Sequence, residues 1–205
     1  MSEHKNHLDR AYGLDSVAAT RDFYADWAET YDDEIAQNGY ATPARCAAAI
    51  AKLASLDSAV LDVGCGTGLS GQALKSVGFS TLDGCDMTAE MLDRASARDI
   101  YRNLWVSDPQ HPLDFTHGPY DVVAAIGVIG IGAAPIDLFY DILKQMHSGA
   151  YFVFSFNDQT LERREFEGAV MNAIDGCRFD LLFKDYGPHF PERNINSKVY
   201  VLRKR

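Results

Sequence analysis

The sequence lacks the patterns of a secretory signal peptide and of a membrane-spanning segment. Its first ten residues are polar and charged, and no apolar stretch follows them, so no signal peptide is predicted. The longest apolar stretch, residues 122–136, is interrupted by glycines and Pro135 and is too short to cross a bilayer. We therefore expect a cytoplasmic protein that does not associate with membranes.

The sequence also lacks the usual signs of a disulfide framework or a metal site. Its four cysteines, at positions 46, 65, 85 and 177, form no Cys-x-x-Cys pair. A chain of 205 residues buries enough surface to fold without such crosslinks. We therefore predict free thiols, and the spacing of the histidines indicates no metal centre.

Positive charge is scarce. The chain has 19 lysines and arginines against 29 acidic residues, a formal net charge of −10, and its short basic run is Arg203-Lys204-Arg205 at the end. Nucleic-acid binding depends on a basic face that neutralises phosphates, so we do not expect a nucleic-acid partner. A small molecule is the better candidate for the substrate.

No internal repeat or Pro/Ser-rich linker divides the chain, which predicts one domain over residues 16–205 after a disordered tail at 1–15. Residues 16–55 are expected to form N-terminal helices. Phe23, Trp27, Tyr31 and Ile35 recur every four residues, which predicts one amphipathic helix from Ser16 to about Gln37. A second helix is predicted from Thr42, as its cap, to Leu53.

Residues 56–205 alternate between strand and helix patterns. The predicted strands are 59–63, 80–85, 104–107, 121–126 and 150–156, and the predicted helices are 67–77, 88–97 and 135–146. This alternation is typical of an α/β, Rossmann-like fold, in which helices cover both faces of a mostly parallel sheet. Two β-rich runs at 178–184 and 198–202 follow without room for a crossover helix, so they predict a terminal antiparallel hairpin.

The most informative segment joins a predicted strand to a helix: Asp62-Val63-Gly64-Cys65-Gly66-Thr67-Gly68. Glycines at alternate positions let the backbone turn and approach a ligand closely. The free N–H groups at the helix start suit a carboxylate, and the Asp62 carboxylate suits an ammonium group. Both groups occur on S-adenosylmethionine (SAM), so we predict that SAM binds at residues Asp62, Gly64, Cys65, Gly66, Thr67 and Gly68.

The competing interpretation is a dinucleotide site of an NAD(P)-dependent oxidoreductase. Its G-x-G-x-x-G pattern fails from Gly64, because Leu69 stands where the third glycine belongs, and it matches from Gly66 only through Gly71 inside the helix. A carboxylate at Asp62 would repel a pyrophosphate but attract an ammonium group. SAM is therefore favoured.

Two further strand ends supply candidate cofactor contacts. Asp86 follows the glycine loop at about the 20-residue offset from which an acid reaches an adenosine ribose, although it also suits an ordinary turn. Asp108 is a candidate acceptor for the adenine amino group, while Met87 and Pro109 would cover the ring. Asp108-Pro109 is equally a common turn former.

These residues, with Tyr120-Asp121 before an apolar strand and the turn at 147–150, resemble the class I SAM-dependent methyltransferases. Segments 24–28 and 31–32, with Tyr40, resemble the N-terminal helices of the methyltransferase-like proteins of the Williams–Beuren type. The turn departs from the family pattern at Ser148 and Ala150. The resemblance implies a seven-stranded sheet, SAM across the carboxyl ends of the strands, and Gly127 against its methionine part.

Catalytic residues are less well defined, because methyl transfer relies largely on positioning and needs a base only for some acceptors. His189, in the predicted hairpin loop 185–190, is a candidate base that would titrate near neutral pH, or else a solvent-exposed histidine. Tyr24 and Tyr31, with Trp27, form an aromatic stripe that either covers SAM as a lid or packs in the core. A SAM-binding module without turnover is the alternative function.

Overall fold

The structure is a computed structural model that describes residues 7–11, 13–14, 16–109, 113, 115 and 117–205. The helices are α1 (His7–Ala11), α2 (Val17–Trp27), α3 (Tyr31–Gln37), α4 (Thr42–Ile50), α5 (Leu69–Ser76), α6 (Ala89–Ser96), α7 (Asp137–Gln145), α8 (Asp158–Leu161) and α9 (Arg164–Asp175). The strands are β1 (Ala59–Val63), β2 (Thr81–Asp86), β3 (Asn103–Val106), β4 (Val122–Ala125), β5 (Tyr151–Asn157), β6 (Phe179–Phe190) and β7 (Ile195–Lys204).

These strands form a seven-stranded sheet in the order β3-β2-β1-β4-β5-β7-β6. The first five pair in parallel, while β7 is antiparallel to both β5 and β6. The predicted α/β fold and its terminal antiparallel hairpin are thus confirmed. The chain reverses its direction of winding between β1 and β4, and the carboxyl ends of the strands at such a point are where ligands bind in open α/β sheets.

Strand β4 is buried on both faces, as its continuous apolar sequence predicts. Val123 packs in a cluster that includes side chains of α7 and α9. Val122 packs on the opposite face with side chains of α4 and α5. This alternation places the central strand between two helical layers and fixes the position of the loop that follows it.

The N-terminal helices differ from the prediction in two ways. The single helix expected from Ser16 to about Gln37 is divided, because α2 ends in a tight turn in which Thr30 N donates to Trp27 O at 3.1 Å. Within the segment expected to be disordered, residues 7–11 form α1, whose Leu8 and Ala11 pack in a cluster with Trp27. The prediction of disorder is therefore wrong for residues 7–11. Residues 1–6, 12 and 15 lie outside the part of the chain that the structure describes.

The C-terminal third also differs in its boundaries. The segment 185–190, predicted as the hairpin loop, belongs to β6, and the hairpin turns instead at 191–194. Helix α9 was not predicted, although its buried positions 166, 169, 170 and 173 have helical spacing. Thr42 is the first residue of α4 and not its cap, which is Ala41.

The cysteines are free thiols, as predicted: Cys46, Cys65 and Cys85 are buried and Cys177 is exposed. Across the described residues, we find no helix that is both long and apolar enough to span a bilayer.

Candidate active site

The glycine loop connects β1 to α5 through a backbone that requires glycine. Gly64, Gly66 and Gly68 have φ values of 65°, 54° and 91°, in the left-handed region that other residues rarely adopt. A Cβ atom on Gly64 would lie 2.5 Å from Val128 Cγ1, whereas one on Gly66 would have no atom within 4 Å. Gly64 is thus needed for packing, whereas the Cα of Gly66 is open to the space above the loop.

That space is a cavity of about 910 Å³ at the carboxyl ends of the strands, within the usual size range of small-molecule sites. Most of the residues predicted to bind the cofactor line it together: Tyr24, Tyr31, Gly64, Cys65, Gly66, Thr67, Asp86, Met87, Asp108, Pro109 and Gly127. Asp62, Gly68 and His189 are not part of its lining.

Asp86, at the end of β2, connects two backbone segments at the cavity wall. Its Oδ2 accepts a hydrogen bond of 2.9 Å from Gly66 N, and its Oδ1 accepts one of 2.9 Å from Thr88 N. Burial raises the pKa of this carboxyl above its usual range, although these amides oppose the shift. Each carboxylate oxygen can accept a further hydrogen bond, so Asp86 remains able to hold a ligand hydroxyl.

Asp62 lies behind the loop and not in the cavity. Its side chain is fully buried, and its Oδ2 accepts hydrogen bonds from Ser70 Oγ at 2.6 Å and from the Tyr101 hydroxyl at 2.7 Å. Burial raises the pKa of Asp62 to about 6. This position corrects the predicted contact with a ligand ammonium group: the carboxylate ties β1 to α5 and thereby holds the loop.

The position of His189 corrects both interpretations of that residue. It is buried near the end of β6, where its Nδ1 lies 2.8 Å from Thr42 Oγ1. Burial lowers the pKa of His189 to about 4, so the ring is neutral at physiological pH. It is therefore neither a solvent-exposed histidine nor a base that titrates near neutral pH, because segment 185–190 is strand and α4 covers it.

The N-terminal aromatic residues separate into two groups. Tyr24 and Tyr31 line the cavity, whereas Trp27 is buried in the cluster beneath them, with ring centroids of Trp27 and Tyr31 4.7 Å apart. Burial raises the pKa of Tyr31 well above its usual value. The tyrosines are thus placed to cover a ligand, and the tryptophan anchors the helices that carry them.

Several lining residues were not predicted as site residues. They include Tyr40, Trp105, Leu113, Phe115 and Leu138. The Tyr40 hydroxyl contacts Gly127 so closely that a Cβ atom there would lie 2.2 Å from it. The resemblance of the Tyr40 segment to the family's N-terminal helices could have pointed to Tyr40, whereas the other residues come together only through the fold.

The charge of the cavity is one-sided. Four of its lining residues are aspartates, namely Asp86, Asp108, Asp137 and Asp141, and its described lining contains no lysine, arginine or histidine. Such walls favour a cationic ligand over an anionic one. The open Cα of Gly66, the Asp86 carboxylate and this charge together fit SAM, which carries ribose hydroxyls and a positively charged sulfur.

Comparison with known proteins gives the same assignment. A family model described as a methyltransferase domain matches residues 60–148. Methyltransferase-like protein 27 of Homo sapiens is 31% identical over 180 residues, which cover 85% of this chain and 74% of the human protein. The 18S rRNA (guanine(1575)-N(7))-methyltransferase of Saccharomyces cerevisiae is 33% identical, but over 72 residues that cover 35% of this chain and 26% of that protein.

Solved structures share the fold at low sequence identity. A methyltransferase in complex with the Trm112 activator of Haloferax volcanii superposes with a TM-score of 0.68 at 17% identity, covering 90% of this chain and 97% of the other. Magnesium protoporphyrin IX methyltransferase of Synechocystis with bound S-adenosylhomocysteine (SAH) superposes with a TM-score of 0.59 at 16% identity, covering 97% and 93%. The chain therefore belongs to the class I SAM-dependent methyltransferases and is an enzyme that uses SAM as its cofactor.

Proposed function

We propose that the enzyme methylates a small-molecule acceptor. The observation that carries this proposal is the cavity itself, about 910 Å³ in volume and partly lined by Tyr24 and Tyr31 from the N-terminal helices. A cavity walled in this way suits a small ligand better than a polymer. The absence of basic residues from its described lining, together with the net charge of −10, disfavours a polyanionic acceptor.

The adenosine part of SAM is assigned to the ends of β2 and β3. Asp86 would accept hydrogen bonds from the ribose hydroxyls, and Asp108 one from the adenine amino group. Met87 and Pro109 would cover the two sides of the ring. All four residues line the cavity, which supports these roles.

The methionine part is assigned to the glycine loop and to the loop after β4. Backbone groups of Gly64–Gly68 and of Gly127 would bind it, with Asp62 holding the first loop from behind through Ser70. Tyr24 and Tyr31 would cover this end. The cofactor supplies a methyl group on a positively charged sulfur, and the chain's residues contribute by placing the acceptor in line and by excluding water.

An RNA acceptor has less support. The relatives named as rRNA methyltransferases match only about one third of this chain, for instance 33% identity over 70 residues for the Dictyostelium discoideum protein. A match this short does not extend over both the N-terminal helices and the C-terminal hairpin. It therefore says little about the acceptor.

The test is methyl transfer from labelled SAM into separated fractions of a cell extract: an ultrafiltrate of small molecules, RNA, and protein. We expect label in the small-molecule fraction alone, and none when SAH is present in excess. Label in the RNA or protein fraction with none in the ultrafiltrate would overturn the proposal. The Gly66→Ala variant, in which we expect weaker SAM binding, serves as the control: transfer that depends on the enzyme should fall in it, whereas background transfer should not.

A further inference from the structure

A second, smaller chamber adjoins the cofactor cavity. It has a volume of about 60 Å³, and five residues line both spaces: Tyr24, Tyr31, Tyr40, Gly127 and Ala133. The shared wall includes Gly127, the residue assigned to the methionine end of SAM. The chamber is thus next to the end of the cofactor from which the methyl group leaves, and its size suits one small functional group.

Aromatic rings from both ends of the chain surround this chamber. Tyr24, Trp27 and Tyr31 come from the N-terminal helices, and the ring centroids of Tyr24 and Trp27 are 5.8 Å apart. On the other side, the ring centroid of Tyr40 lies 5.2 Å from that of His189 and 5.0 Å from that of Phe190. Aromatic faces carry partial negative charge and attract a cation.

The charged groups around the two spaces also favour a cation over an anion. The described lining of the cofactor cavity includes four aspartates and no basic residue, and one of the four, Asp141, pairs with Lys144 outside the lining at 2.9 Å. The titratable side chains that line the chamber are tyrosines and His189, and burial lowers the pKa of that histidine to about 4. A carboxylate or phosphate acceptor would lose its hydration here and would meet no cationic side chain among the lining residues, which disfavours an anion relative to an amine.

We propose that the acceptor is a small amine whose nitrogen binds at the chamber, against the Tyr40 hydroxyl and the surrounding rings. This inference rests on the proposed function and names its substrate class. The amine binds as the free base after releasing a proton to water. Its lone pair forms the new N–C bond while the methyl–sulfur bond breaks, which leaves SAH as a neutral thioether and an N-methylammonium product that loses its proton to water.

The surroundings suit this transfer because the positive charge moves from sulfur to nitrogen. The aromatic rings that line the chamber stabilise charge that develops on nitrogen in the transition state, which is the form of stabilisation that increases the rate. No enzyme group has to act as a base. The rate at low acceptor concentration should therefore rise with pH up to the pKa of the amine itself.

The decisive experiment uses SAM labelled with ¹³C in its methyl group and the small-molecule ultrafiltrate of an extract. Carbon NMR of the product separates an N-methyl from an O-, S- or C-methyl group. We expect N-methyl signals alone, and their loss after the amines of the ultrafiltrate have been acylated with acetic anhydride. An O-, S- or C-methyl product, or transfer that survives acylation, would overturn the amine assignment while leaving the small-molecule proposal intact.

If no label enters the untreated ultrafiltrate, the proposed function fails together with the amine. The chamber itself is tested with Tyr40→Phe, which removes the hydroxyl but keeps the ring. We expect the KM for the acceptor to rise roughly fivefold or more while SAH affinity, measured by calorimetry, stays within about twofold. An unchanged KM, or an equal loss of SAH affinity, would remove Tyr40 from the acceptor site.

Discussion

Thr67, in the glycine loop, donates its hydroxyl hydrogen bond to Asp32 Oδ1 of α3 at 2.5 Å. The guanidinium group of Arg98 completes the link, because it donates both to the other oxygen of Asp32 and, at 2.6 Å, to the Thr67 carbonyl. These contacts join an N-terminal helix to the loop assigned to the cofactor. Cofactor binding and the position of the helix should therefore influence each other.

The first prediction concerns Asp32→Ala, which removes the hydrogen bond and the ion pair. Both contacts are partly exposed, so we expect a loss of about 1–2 kcal/mol and a rise of roughly fivefold to tenfold in the Kd for SAH. Calorimetry measures the Kd. The neighbouring exposed Asp33→Ala, which carries the same charge change, is the matched control. Equal affinities in the two variants would show that the link does not affect the cofactor site.

The second prediction separates two glycines of the same loop. Gly66→Ala places its methyl group where the protein has no atom within 4 Å, so we expect the fold to survive with a cost of about 1–2 kcal/mol for the left-handed backbone, and SAM binding to fall at least roughly tenfold. Gly64→Ala forces a methyl group against Val128 and should lower the melting temperature more than Gly66→Ala does. Thermal melts with and without SAH compare the two. The reverse order of the melting temperatures contradicts this assignment.

The third prediction concerns Asp86→Ala. Loss of the carboxylate leaves ribose hydroxyls without an acceptor and removes the bond to Gly66 N, so SAM affinity should fall roughly tenfold or more. Circular dichroism checks that the variant is folded. Asp93→Ala, an exposed change on α6, provides the control for net charge. If the affinity of Asp86→Ala matches that of the control, Asp86 belongs to the turn alone.

The fourth prediction is a pH dependence of stability that arises from His189. Its folded pKa of about 4 lies below the unfolded value of 6.5, so the unfolded chain binds a proton first as the pH falls. The stability from the neutral ring is complete above pH 6.5 and is lost progressively toward pH 4, up to about 3 kcal/mol.

Asp62 acts in the opposite direction in part of this window. Its folded pKa of about 6 lies above its usual value, so protonation of the folded protein adds stability as the pH falls below 6. The test is therefore a difference: urea unfolding of the unchanged protein and of His189→Asn between pH 7 and pH 4. We expect the unchanged protein to lose more stability over this range. Parallel curves would mean that His189 has its ordinary pKa when folded.

The sequence predicts best those parts of the fold and site that depend on local pattern. The alternation of short apolar strands with helices determines the parallel sheet, and three alternating glycines after a strand determine the left-handed turns of the loop that we assign to the cofactor. Asp86 ends β2 and Asp108 follows β3, so their place at the cavity follows from the topology of a parallel sheet.

The remaining features depend on packing that no local pattern encodes. Asp62 was expected in the cavity, but strand alternation turns its side chain toward α5. Its carboxylate accepts hydrogen bonds from Ser70 and from Tyr101. His189 was expected in a loop, but pairing with β7 extends β6 past it. Tyr40 approaches Gly127 from a segment far away in the sequence.

The last prediction concerns the mobility of the N-terminal helices. Tyr24 and Tyr31 line the cavity, so part of their contact surface exists only with a bound cofactor, whereas Trp27 is buried within the protein. We expect amide hydrogen exchange over residues 20–40 to slow when SAH is added, with the largest change in α3, and exchange in β4 and β5 to remain the same. The Asp32→Ala variant should show a smaller slowing, because α3 has lost its bond to the loop. Equal protection of residues 20–40 with and without SAH would show that Tyr24 and Tyr31 pack as ordinary core residues and do not form a lid.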